Sequence, residues 1–394
     1  MPSAITNVAI FNGTDDAILG NGAIVIGDDG RIAEVIPGGK LPPSLAANAF
    51  DGQGATALPG LIDMHTHVMG ATVAERQRAP SVNILASQVI RGLANASRCV
   101  SRGVTTIRDA GAATPAIFTL KESVDQGQSQ GPRMVLAGSA LTMTGGHGDP
   151  FSVEADGVDG LRKAARGQIK NGAECIKIIA WSGAAAACGC LSGLQLLPDE
   201  MGAAVEVARR AGVHTLAHAI PAAAVMEALE AGVDTIEHGI FLDATTVAAM
   251  KAAGVHYTPT LAIFSRIARN APPASYPPYM VEKGKLCVEA HRASFQMAMQ
   301  AGIPLLAGTD SGNWGWLMGD LADELVLMNE YGLPAFQCLR AALGSAAKFL
   351  GREDSVGSLQ PGRHADVLLV RGNPLESLAS LYDVQAVFKG GKKI

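Results

Sequence analysis

Two histidines one residue apart, His65 and His67, close a short apolar run that begins at Gly60. On a strand, alternation sets both imidazoles on one face. Two imidazoles on one face can hold a divalent metal, although a pair of this kind alone also suits histidines that only hydrogen-bond at a strand end. Lys177 stands inside Cys-Ile-Lys-Ile-Ile, where an interior ammonium is costly unless neutralised or paired. His218 ends His-Thr-Leu-Ala-His, His238 ends Asp-Thr-Ile-Glu-His, and Asp310 follows Leu-Leu-Ala-Gly-Thr. Singly, each reads as a hydrogen-bonded junction residue. Five such ends in chain order read as a metal-dependent centre.

The elements that must carry these residues can be traced along the 394-residue chain. Apolar runs at Gly60–His65, Thr105–Asp109, Met134–Ala137, Cys175–Ile179, His214–Ala219, Thr235–Gly239, His256–Thr260 and Leu305–Gly308 predict strands. Amphipathic stretches between them predict helices, several stopping at a glycine: Gly103, Gly172, Gly212, Gly232, Gly254 and Gly302. Strands alternating with crossover helices predict an α/β fold, a (β/α)8 TIM-type barrel, whose catalytic groups sit at the carboxyl ends of the strands. Short β runs at Ile5–Asn12, Ala23–Gly27 and Arg31–Ile36, joined by Asn-Gly and Asp-Asp-Gly turns, predict a meander before it. Further runs at Asp366–Val370 and Val384–Phe388 are expected to complete that sheet. The plan is a barrel over 58–357 inserted in a two-part β-sandwich domain, 1–57 with 358–394.

Composition bounds the partners. Net charge is −5, from 31 Lys+Arg against 36 Asp+Glu, which excludes a basic nucleic-acid binder. Hydrophobic residues make up 48% and charged residues 17%, which excludes wholesale disorder. The uncharged run Ile178–Pro198 is interrupted by glycine, serine and glutamine and lacks a basic anchor, so a membrane span is not expected. Met1-Pro-Ser leads straight into a strand-like segment, without the basic start and apolar core of a leader. A leader removed earlier would leave no trace. Six scattered cysteines, with Cys188-Gly-Cys190 the one close pair, favour a reducing, cytoplasmic setting.

Several stretches together resemble the amidohydrolase superfamily of metal-dependent hydrolases, in its binuclear branch with a carboxylated lysine. They are Pro59–His67, Ile176–Ile178, Ala217–Ala219, Val233–Gly239, Ala307–Gly312 and Gly357–Val370. Within it the chain is similar to the imidazolonepropionase-like group, which includes Xaa-Pro dipeptidase-like enzymes, zinc carboxypeptidases and ochratoxin-hydrolysing amidases. Thr142–Asp149 is similar to a loop of the carboxypeptidase and ochratoxinase relatives. The resemblance implies two divalent ions, by default Zn2+. His65, His67 and Asp310 would bind one ion and His218 and His238 the other, with Lys177 bridging both as its N6-carboxylate. It also implies a metal-bridging hydroxide as nucleophile, Asp310 as the proton carrier, and assembly as a homo-oligomer.

The implied reaction is cleavage of an amide C–N bond in a small molecule: an N-acyl amino acid, a dipeptide or an aromatic amide such as ochratoxin A. His147, in a Gly-Gly-His-Gly loop, is a candidate to contact the substrate or a developing oxyanion, or else a loop histidine in solvent. Trp181, Trp314 and Trp316 fall just beyond strand ends and Met69 just beyond the first, so Trp181, Trp314 and Met69 are expected to line the pocket, ordinary loop packing being the alternative. Arg108, Arg133 and Arg266 are candidates, by position only, to anchor a substrate carboxylate. His214 reads as interior packing behind the ligands. Rival readings are hydrolysis of a cyclic amide, a urea or a carbamate, and a non-catalytic binding homologue. A G-x-S-x-G elbow and a G-x-G-x-x-G turn are both missing, which argues against serine hydrolase and dinucleotide chemistry.

Overall fold

The structure is a computed structural model, and it describes residues 3–70, 84–148, 152–182, 193–271, 276–313 and 316–394. The chain divides into two compact units: Met1–Asp63, Ser97–Thr106 and Gly319–Ile394 form one, and Met64–Ala96 with Ile107–Met318 the other.

The first unit is built on an eight-stranded sheet. Its strands are β1 (Ala4–Phe11), β2 (Ile18–Ile26), β3 (Ile32–Ile36), β4 (Ala49–Asp51), β5 (Thr56–Pro59), β15 (Val367–Val370), β16 (Val384–Lys389) and β17 (Lys392–Lys393). Spatial order is β17-β16-β15-β5-β1-β2-β3, with β4 beside β1. The expected meander is there, β1–β2–β3 antiparallel, and the late strands join the early ones through an antiparallel β15–β5 pair. Hydrophobic side chains drive the assembly: Ile5, Ile10, Ile24, Val367 and Phe388 are almost fully buried in one cluster.

The second unit holds the chemistry-bearing strands. A six-stranded sheet runs β10-β9-β11-β12-β13-β14, and its neighbours pair in parallel. These are β9 (Ala140–Thr142), β10 (Ser152–Glu154), β11 (Cys175–Ile179), β12 (His214–Ala219), β13 (Thr235–His238) and β14 (His256–Thr258). A three-stranded sheet comprises β6 (Leu61–Thr66), β7 (Val104–Asp109) and β8 (Arg133–Leu136), and its carboxyl-terminal portions lie in this unit. β11 is buried at every position, as an apolar run covered on both faces should be. The connecting helices stop where expected, Gly212, Gly232, Gly254 and Gly302 taking left-handed φ at their C-caps.

The eighth expected strand, Leu305–Gly308, is not an extended strand. The segment still bonds on both sides: Tyr257 N donates to Pro304 O (2.9 Å), Met64 N to Ala307 O (2.9 Å) and Asp310 N to His65 O (2.7 Å). Glu174 N donates to Leu136 O (2.8 Å) across the other junction between the two sheets. Gly308 makes the approach to β6 feasible, because a Cβ there would lie 2.8 Å from His65 Cβ and 2.6 Å from a Thr258 methyl. Among the described residues, no helix is long and apolar enough to cross a membrane. The described cysteines, Cys99, Cys175, Cys287 and Cys338, are buried and form no disulfide with one another; Cys188 and Cys190 lie outside the described residues.

Candidate metal centre

The carboxyl ends of β6, β11, β12 and β13, with the segment after residue 308, bring the ligand candidates into one cluster. His65 Nε2 lies 3.4 Å from Lys177 Nζ and 3.7 Å from Asp310 Oδ1, and His67 Nε2 lies 3.2 Å from Asp310 Oδ1. The His238 ring sits 5.1 Å from that of His65 and 4.5 Å from that of His218. One ligand atom from each of His65, His238 and Asp310 falls within 4.8 Å of the others. All of these side chains are buried except that of Asp310, which is 21% exposed.

Two of these residues have unusual backbones. His238 has φ of 74° and Asp310 of 58°, in the left-handed region, which side-chain-bearing residues enter at a cost. Local bonds hold them: Tyr257 Oη donates to the carbonyls of His238 (2.8 Å) and Gly239 (3.0 Å). Thr260, itself left-handed at 53°, hydrogen-bonds His238 Nδ1 at 2.7 Å.

The outer nitrogens are committed, which leaves the inner ones facing the cluster. His65 Nδ1 meets Glu237 Oε2 at 2.6 Å, and His67 Nδ1 donates to Gly111 O at 2.8 Å. Asp109, at the end of β7, accepts from Val68 N (2.6 Å) and Gly111 N (3.1 Å), and so fixes the turn after His67. Glu237 Oε1 accepts from Arg108 Nη2 at 2.8 Å, and Thr235 Oγ1 also donates to it.

Electrostatics follow from burial. Burial, then the Lys177 charge, pushes His65 down to about 4. Burial holds His218 and His238 well below the usual histidine range. Burial also brings the Lys177 ammonium down to about 8. Burial works upward on Asp310, but the His67 hydrogen bond and the His65, His67 and His238 rings outweigh it and keep the carboxylate below its ordinary range. Neutral imidazoles, an ionised carboxylate and an easily deprotonated amine suit a divalent cation. Among the described residues buried His218 Nε2 has no hydrogen-bond partner, a costly state for a polar atom, and it lies on a ring flanked by the His238 and His147 imidazoles.

The remaining expected residues divide. His147 is half-buried and joins the cluster, its ring stacked on His218 at 4.8 Å and 30°. Its amide donates to Gln195 Oε1 at 3.1 Å. Trp181 is 3% exposed beyond β11 and pairs with Leu194, and among the described residues its indole N–H has no hydrogen-bond partner. Met69 is buried with its side chain against Gly92. Trp314 lies outside the described residues. Trp316 is buried, under the Arg266 guanidinium at 5.0 Å. Arg108 is not an anchor for a substrate carboxylate: it is fully buried, and Glu237, Met64 O (2.7 Å) and Thr235 Oγ1 (3.3 Å) take its donors.

Sequence reasoning missed Glu237, although it sits inside a quoted stretch. The available signal was three ionisable residues, Arg108, Lys177 and Glu237, inside strands buried at every position.

The chain is similar to several known proteins. Ochratoxinase from Aspergillus niger is 27% identical over 413 residues, covering 96% of this chain and 84% of that protein. The crystal structure of that ochratoxinase matches with TM-score 0.82 and 25% identity, over 99% of this chain and 94% of the other. A Xaa-Pro dipeptidase crystallised with methionine in its active site matches with TM-score 0.90 and 29% identity, over 99% of both chains. The model of the amidohydrolase family matches residues 56–394, so the chain belongs to that family and is a hydrolase.

Proposed function

We propose that this hydrolase cleaves an amide C–N bond in a small molecule that carries an acyl group on an amino acid or amine: an N-acyl amino acid, a dipeptide, or an aromatic amide such as ochratoxin A. The observation that carries the reading is the convergence of His65, His67, Lys177, His218, His238 and Asp310 from separate segments of the chain. The likeness to an ochratoxinase and a dipeptidase supports the amide class. The underlying framework in this reading is a closed (β/α)8 barrel over 58–357 with a β-sandwich domain from 1–57 and 358–394. The bonds of segment 304–311 to Tyr257 and to β6 support closure.

His65, His67 and Asp310 would hold one divalent ion and His218 and His238 a second, zinc being the default. Lys177, carboxylated by CO2, would contact both. Bound there, the two ions would polarise the scissile carbonyl and lower the pKa of a water. Lys177 is prepared for its part, since burial raises the share of neutral amine that can react with CO2. The Asp310 carboxylate stays ionised and only partly covered, so it can take a proton from the attacking water and pass it to the leaving nitrogen. His147, stacked on His218 at the rim, is placed to hydrogen-bond the substrate oxygen as charge develops. Trp181 offers an apolar flank for an aromatic group.

The test is metal analysis followed by a substrate screen with zinc-loaded protein. About two ions per chain are expected, together with hydrolysis of N-acyl amino acids, dipeptides or ochratoxin A that a chelator abolishes. Turnover of ureas or lactams alone would remove the linear-amide reading. Metal-loaded protein that turns over none of these would remove the reading altogether.

A further inference from the structure

One strand end sends two consecutive side chains into the cluster. Thr235 and Glu237 share a face of β13, as alternation requires, and Thr235 Oγ1 bonds Glu237. Alternation would turn His238 to the opposite face. Its left-handed φ of 74° brings it back, so that its ring lies 5.1 Å from His65 while Glu237 Oε2 lies 2.6 Å from His65 Nδ1. His65 therefore has Glu237 bonded to its Nδ1 and the His238 ring beside it.

Three of the four ligand-candidate imidazoles have different partners behind them. His67 uses a backbone carbonyl, His238 a threonine hydroxyl, and His65 a carboxylate with no solvent exposure. A charged acceptor binds an N–H more strongly than a neutral one and raises the basicity of the far nitrogen. A buried carboxylate needs a countercharge, which Arg108 supplies at 2.8 Å. Arg108 Nε also donates to the carbonyl of Met64 at 2.7 Å, so the same guanidinium pins the backbone next to His65.

We propose that Glu237, balanced by Arg108, is a positioning residue that fixes His65 with its proton on Nδ1 and its Nε2 lone pair toward a metal. The Glu237-His238 pair thereby serves both metal positions: one through its own imidazole, the other through His65. The inference rests on the metal-centre reading above.

The experiment uses full-length zinc-loaded protein and its Glu237→Gln variant, dialysed against graded chelator, with metal counted per chain. The expected result is unequal loss. One ion leaves at about 10- to 100-fold weaker affinity, while the other is held as in the wild type. A variant that loses both ions in step, or keeps both as tightly as the wild type, overturns the proposal. Because Glu237→Gln leaves Arg108 without its countercharge, the double variant Arg108→Met with Glu237→Gln is measured in parallel and should show the same unequal loss. A second readout needs only the wild type: histidine-labelled, zinc-loaded protein should give a strongly downfield Nδ1–H resonance that disappears in His65→Gln. Its absence from the wild type also overturns the proposal. Failure of the wild type to bind metal at all is a different result, and it takes down the metal-centre reading together with this inference.

Discussion

The two ends of β12 carry chemically identical residues in different company. His214 opens the strand and His218 stands four residues on, both with basicity suppressed by burial. For His214 the next contribution is the Arg108 charge, and its pKa falls to about 3; for His218 it is the neighbouring His238 and His147. Around His214 is a cavity of about 320 Å³ lined by Val205, Arg209, Val213 and Asp234, with Asp234 committed to the amide and hydroxyl of Thr215 at 2.7 Å. Around His218 are two other imidazoles, those of His147 and His238, with ring centroids 4.8 and 4.5 Å away. A histidine of low basicity at a strand end is therefore not itself a sign of a site. Donor atoms from separate strands aimed at one point are.

The sharpest way to break this contrast is to remove each end in turn. His218→Ala should lower kcat/KM by about 10³-fold or more, as expected when several kcal/mol of metal polarisation are lost. It should also reduce metal content, read by elemental analysis. His214→Gln should leave both within about threefold, as a substitution away from the reacting atoms does. Equal damage from the two would erase the distinction.

Lys177 sharpens it further. Its amine titrates near 8 because of burial, so the neutral fraction that can bind CO2 falls about tenfold for each unit below that. Recovery of metal-dependent activity by stripped protein in zinc, with dissolved CO2 held at one concentration at every pH, should accelerate as pH rises to about 8 and then level off. A recovery rate flat in pH would contradict the carboxylation reading.

The silent end has its own signature. The His214 pKa is depressed in the fold relative to the unfolded value, so its contribution to stability is present above 6.5 and lost as pH falls toward about 3. His65, His218, His238 and His291 are depressed in the same way, so His214→Gln should lessen the fall of the unfolding midpoint across that window in urea titrations by one histidine's share, while His218→Ala changes activity. The smallest effect expected is at the rim: Trp181→Ala should raise KM for aromatic amides by about tenfold at most, with kcat nearly constant. Unchanged KM would mean that the indole only packs.

Much of the cluster was legible because its members interrupt apolar runs at strand ends, a pattern periodicity detects. Glu237 was not, since alternation sends the neighbour of an inward histidine outward, and only the positive φ of His238 cancels that rule. Arg108 was misread for a related reason: its anion is 129 residues away, and a lone cation on a strand gives no hint of a distant partner. The segment at Leu305–Gly308 had the composition of a strand, but it is tied in by separate bonds to Tyr257 and Met64 rather than a ladder. Strands β9, β10 and β4 are three residues each, too short for any periodicity to register.

The cluster draws on positions from 65 to 310, so every ligand but one is already present in a chain cut just ahead of Asp310. During synthesis such a chain would hold its histidines and lysine for many seconds, at about 5–20 residues per second, before the last carboxylate emerges from the ribosome. If the proposed two-ion centre forms, its loading would thus be a late event in the life of the nascent polypeptide. Fragments from early termination would offer zinc a few loose imidazoles and no finished seat.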